Sequence, residues 1–69
     1  EKGHNDSALT PREKEILEIL SNGFTPKEIA KELFIGYESV RSHLKNIYKK
    51  LYAHSLVEVL AVAKGKGLI

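Results

Sequence analysis

Arg41, Lys45 and Lys49 recur every four residues in the stretch Gly-Tyr-Glu-Ser-Val-Arg-Ser-His-Leu-Lys-Asn-Ile-Tyr-Lys-Lys-Leu-Tyr, residues 36–52. On an α-helix that spacing gathers three cations, with Ser42 beside them, on one face. Val40, Leu44, Ile47 and Leu51 fall at i, i+4, i+7 and i+11 and form an apolar stripe on the other. The stretch holds four Lys or Arg (Arg41, Lys45, Lys49, Lys50) against one acid, Glu38. One face calls for a core and the other for an anion. A helix fits the major groove of B-DNA, about 12 Å wide, so long cations and short polar groups on its outer face can approach base edges there. On the helical wheel alone, a solvated surface is an equally good reading.

Other chemistry is poorly supplied. There is no cysteine, and no Ser, His and Asp stand at a usable spacing. Neither a metal cluster nor a glycine-rich phosphate loop is present in the sequence. Glu38 or His43 alone cannot carry a reaction, so the expectation is a protein that is not an enzyme and needs no cofactor or metal. His43 lies at the border of the apolar stripe. A packed, hydrogen-bonded imidazole is the expected role, a phosphate contact the alternative; a metal is disfavoured because no second His or acid is spaced to help. Tyr48 is expected in the core with its hydroxyl at the rim.

With 69 residues the chain makes one small domain. No disulfide can supplement its core, so stability must come from helix packing and good caps, with a partner chain as a further source open to it. The absence of cysteine fits a cytoplasmic setting, and no apolar run approaches the roughly 20 residues that span a bilayer. The chain lacks methionine and starts at Glu1; the expectation is a piece of a longer protein. Its net charge of +2 is unevenly placed. Residues 1–35 carry five Lys/Arg and seven Asp/Glu, whereas residues 36–69 carry six against two. A basic half on a nearly neutral protein suits phosphate binding, which depends on a local patch.

Residues 1–8 are polar and aperiodic and read as a linker or flexible N-terminal end. Thr10-Pro11-Arg12-Glu13 then forms a capping box with proline at the first helical position. The helix it opens carries Ile16, Leu17, Ile19 and Leu20 and stops at Ser21-Asn22-Gly23. Thr25-Pro26-Lys27-Glu28 repeats the box, with Phe24 and Ile29 at hydrophobic-staple positions. The short helix that follows turns Ile29, Ala30 and Leu33 inward. Gly36 caps the basic helix, and Ile35 and Val40 take the staple positions there. A third box, Ser55-Leu56-Val57-Glu58, opens a last helix ending at Gly65 or Gly67. No period-2 alternation marks a strand. The expected fold is all-α, four helices, the middle pair a helix-turn-helix whose longer member is the recognition helix.

The blocks Leu9-Thr10-Pro11-Arg12-Glu13, Glu15-Ile16-Leu17, Gly23-Phe24-Thr25-Pro26-Lys27-Glu28-Ile29-Ala30, Leu33-Phe34-Ile35 and Val40 to Leu51 resemble the LuxR/FixJ-type helix-turn-helix domain of bacterial transcription regulators. The likeness runs from Leu9 to Leu68 without gaps and places the domain at residues 9–69. It implies sequence-specific binding of double-stranded DNA, as a dimer on an inverted-repeat site. It also implies the C-terminal output domain of a two-component response regulator, with a receiver or ligand-sensing domain upstream. Carried over by position, Arg41, Ser42 and Lys45 are the base or near-base contacts, and Asn46 and Lys49 backbone contacts. Thr25 and Lys27 look like phosphate contacts, since a helix start suits an anion. The sequence departs from the family in three places. Gly36-Tyr37-Glu38-Ser39 replaces a more usual Ser-Glu-x-Thr, Tyr52 stands where glycine commonly ends the third helix, and Leu56 where arginine is common.

Leu56, Val59, Leu60 and Ala63 make the inner stripe of the last helix, yet Val57, Ala61 and Val62 lie elsewhere on the wheel. A helix apolar nearly all round, in so small a domain, usually meets another subunit. Val57, Ala61 and Lys64 are the expected dimer face; small tolerated surface residues are the bland reading. The rival function is a protein-interaction module of the same fold, its basic helix facing acidic side chains. RNA polymerase is a further partner that helix-turn-helix domains can recruit.

Overall fold

Two threonines set the angles at which the first two helices begin. In the computed structural model, which describes residues 9–69, Thr10 Oγ1 accepts from the Glu13 N–H at 3.1 Å and Glu13 Oε1 accepts from the Thr10 N–H at 3.0 Å. Thr25 and Glu28 repeat the exchange at 3.2 and 2.8 Å. These boxes open α1 (Pro11–Ser21) and α2 (Pro26–Leu33), each with proline in its first turn, where a missing N–H costs nothing. Next come α3 (Tyr37–Leu51) and α4 (Leu56–Gly65), and no strand occurs among the described residues. The linker expected at residues 1–8 lies outside them.

The third box differs from expectation. Ser55 Oγ accepts from the Glu58 N–H at 3.1 Å, but the Glu58 carboxylate reaches one residue further back, to the His54 N–H at 2.7 Å. With Ser55 at φ −152°, the extended link turns the His54 N–H toward the helix start. Gly36 caps α3 without any side-chain hydrogen bond.

α2 packs most extensively on α3, while α1 and α4 each support α3 from other sides. Val40, Leu44, Ile47 and Leu51 are all buried, as the stripe requires, and meet Ile16, Leu17, Leu20, Ile29, Val59 and Leu9 in one core. Buried Ala30, Ala53 and Ala63 let the helix backbones come close where a larger side chain would hold them apart. Leu33, Ile35, Leu56, Leu60 and Val62 close the edge of the core. The three residues 34–36 between α2 and α3 complete a helix-turn-helix. No helix among the described residues is long and apolar enough to cross a membrane.

Candidate nucleic-acid interface

Because the core claims one stripe of α3, the rest of that helix faces outward. Arg41, Ser42, Lys45, Asn46 and Lys49 are all exposed. They lie on a rigid element flanked by α1, α2 and α4, and their charges share one side of it. Arg41, Ser42 and Lys45 line an open groove of about 490 Å³ bounded by Pro26, Tyr37 and Leu56, so α2 and α4 form its walls. Tyr48 lies half-buried at its base, and burial pushes its phenol pKa above the usual value. At pH 7 it is therefore a neutral hydroxyl that can both donate and accept.

The N-terminus of α2 is less open to an anion than its sequence suggests. The Thr25 and Glu28 N–H groups are both taken by the capping box, and Pro26 has none. What this turn can offer a phosphate is the Lys27 N–H, the Thr25 hydroxyl proton and the Lys27 ammonium; both residues are exposed. Lys27 Nζ lies 5.9 Å from the centroid of the Tyr37 ring, and Arg41 Cζ lies 5.9 Å from the same centroid. Arg41 Nη1 also comes within 3.9 Å of Glu38 Oε2, with both side chains largely exposed. In the sequence Tyr37 marks only a departure from the usual start of the third helix, with no partner for its ring. The i, i+4 spacing of Tyr37 and Arg41 was the available signal; the approach of Lys27 from α2 had none.

Lys50, one of the four cations counted in residues 36–52, is drawn into the fold. Its ammonium donates to Glu13 Oε1 at 2.7 Å, tying the end of α3 to the start of α1. Burial would raise the Glu13 pKa, but the Lys50 hydrogen bond, the Thr10 N–H and the charges of Lys50 and His43 outweigh it and hold the carboxyl below its usual value. His43 is half-buried, as expected, but no side-chain hydrogen bond joins it to another described residue.

The family model described as "Bacterial regulatory proteins, luxR family" matches residues 7–63. The chain belongs to the luxR family. This luxR-family chain is 40% identical over 67 residues to the fimbriae Z protein of Salmonella typhimurium, covering 97% of the chain and 32% of that protein. It is 42% identical over 59 residues to the transcriptional regulatory protein DesR of Bacillus subtilis, covering 86% of the chain and 30% of DesR. Among solved structures, the response regulator ChrA of a heme-sensing two-component system superposes with a TM-score of 0.89 at 35% identity, over 99% of this chain and 33% of ChrA. The luxR-family chain thus spans about a third of the length of these relatives. Membership makes it a helix-turn-helix domain of transcription regulation that acts by binding DNA.

Proposed function

We propose that α3 lies in the major groove of double-stranded DNA as the recognition helix. Arg41, Ser42 and Lys45 face base edges, while Asn46, Lys49, Lys27 and the Thr25 hydroxyl hold phosphates. The chain is then the C-terminal output domain of a response regulator, bound as a dimer to an inverted repeat. The observation that carries this reading is the division of α3, with its apolar stripe fully occupied by the core and Arg41, Lys45 and Lys49 exposed along the opposite side. Arginine and lysine favour guanine O6 and N7, and each good contact discriminates against the wrong base by roughly 1–3 kcal/mol. Lys49 adds affinity for any sequence, since a phosphate contact releases counterions and has no base to read.

Selection of bound sequences from random duplexes, followed by salt titration, tests the reading. Arg41→Ala and Lys45→Ala should each relax the preference at particular base pairs while helicity stays unchanged. Lys49→Ala should weaken binding to all sequences alike and reduce the slope of log K against log salt by about 1. Negligible binding to duplex DNA at low salt, with a protein partner retained, would establish the interaction module instead. If binding is found, a receiver domain in the longer protein and contact with RNA polymerase are the next elements of the same reading.

A further inference from the structure

Tyr37 occupies the first position of α3, next to the caps of two helices, and is partly exposed with its ring near two cations that belong to different elements. The Lys27 ammonium comes from the first turn of α2, and the Arg41 guanidinium from one turn further along α3; each lies 5.9 Å from the ring centroid. Like charges from two helices would otherwise repel. The negative face of an aromatic ring attracts both, and does so with less loss to solvent than an exposed ion pair. Arg41 has a long, flexible stem, and Glu38 at 3.9 Å is too exposed a partner to fix it. The ring is the planar surface that both cations share.

We propose that Tyr37 is a positioning residue for sequence reading: its ring holds the Arg41 guanidinium in the orientation from which it meets a base edge. The proposal rests on the DNA-binding reading above and deepens it, because it says which of the exposed cations is pre-oriented. Among the described residues no ring pairs with the Lys45 ammonium, which remains a mobile charge; Arg41 is ordered before the duplex arrives, so less freedom is lost on binding. The hydroxyl of Tyr37 has no part in this. A phenylalanine should serve equally, whereas a leucine of comparable bulk should not.

The test has one arm without DNA and one with it, both on the full chain. In the free protein, ring-current shifts on the Arg41 side-chain protons are expected in the wild type and in Tyr37→Phe, and their loss in Tyr37→Ala and Tyr37→Leu. On duplexes chosen by selection, Tyr37→Ala and Tyr37→Leu should lower discrimination at the base pair read by Arg41 by about two- to fivefold. Tyr37→Phe should restore it, and Tyr37→Ala should add nothing in an Arg41→Ala background. Absent ring-current shifts overturn the proposal whether or not the chain binds DNA. Shifts present, with discrimination unaltered in Tyr37→Ala or the two substitutions additive, overturn it equally. A wild type that shows the shifts but selects no sequence sinks the DNA-reading function, and Tyr37 then positions a cation with nothing to read.

Discussion

Glu13 acts at two removes from each other in the chain, locally on the Thr10 N–H and, 37 residues away, on Lys50. The local half is visible in the sequence, because Thr10-Pro11-Arg12-Glu13 is a capping box wherever it begins a helix. The distant half is invisible, since a wheel assigns Lys50 a face of α3 and cannot say which other helix meets that face. The Glu13 side chain is nearly fully buried, at 4% exposure, so losing the Lys50 partner should matter more than losing a surface pair. Its folded pKa lies below the 4.5 of the free side chain. The pair's stabilisation is therefore complete above about pH 4.5, where the unfolded chain is also ionised, and disappears as pH falls through the lower folded value. Glu13→Gln keeps an Oε1 that can accept from the Thr10 N–H and the Lys50 ammonium but removes the carboxylate charge, so it should cost about 1 kcal/mol at pH 7, the difference between a doubly charged and a singly charged hydrogen bond. Urea midpoints at pH 7, 5 and 3 check both points, and the gap between wild type and variant should narrow at the acid end. Parallel curves would mean that some other carboxylate sets the acid limit.

Helix starts and helix ends differ in how openly the sequence declares them. Threonine, proline and glutamate at fixed offsets announce α1 and α2, and Gly23 at φ 96° ends α1 in the left-handed region that favours glycine. The ends of α2 and α3 carry no such residue. Phe34 takes φ 57° and Tyr52 φ 54°, so both helices end in the left-handed conformation on bulky aromatics. Tyr52 stood out because its family usually has glycine there; Phe34 gave no warning. In each case the next residue explains the arrangement. The Ile35 N–H returns to Ala30 O at 3.1 Å and the Ala53 N–H to Tyr48 O at 3.0 Å. Ile35 packs against the core and Ala53 is within it, so their burial offsets the strain one residue earlier. Phe34 and Tyr52 themselves are 93% and 77% exposed and contribute little by packing. Phe34→Gly and Tyr52→Gly should each stabilise the fold by about 0.5–1 kcal/mol, the relief of left-handed strain exceeding the added freedom of the unfolded chain. In a domain of this size about 1 kcal/mol corresponds to a rise in Tm of roughly 4–8 °C, measurable by thermal circular dichroism. Unchanged or lower Tm values would indicate that these rings have partners on a neighbouring surface.

At the scale of the whole molecule, the outward face of α4 is an apolar surface that the monomer's core leaves uncovered. Periodicity placed Val59 and Ala63 inside, and they are fully buried; it left Val57, Ala61 and Lys64 on another face, and all three are exposed. Val57 is 78% exposed, and an apolar groove of about 320 Å³ lies between Ser21, Leu60, Ala61, Lys64 and Ile69. How that face is used was not legible in one sequence, because a solvent-facing valine and an interface valine look alike until a second copy is present. If two chains meet through α4, a two-fold axis sets their recognition helices on successive major grooves, and the bound site must be an inverted repeat with half-sites about one helical turn apart. Val57→Glu separates the two uses of the surface. The side chain already stands in water, so the monomer should lose no more than about 0.5 kcal/mol. A carboxylate repeated across the axis, desolvated and facing its own copy, should abolish the dimer. Binding to a duplex with a single half-site should then persist, while the cooperative gain from a second correctly spaced half-site disappears. Sedimentation of the protein–DNA complexes together with fluorescence anisotropy on both duplexes measures it. Full cooperativity in Val57→Glu would move the dimer contact off α4 and leave its exposed apolar face for a different partner.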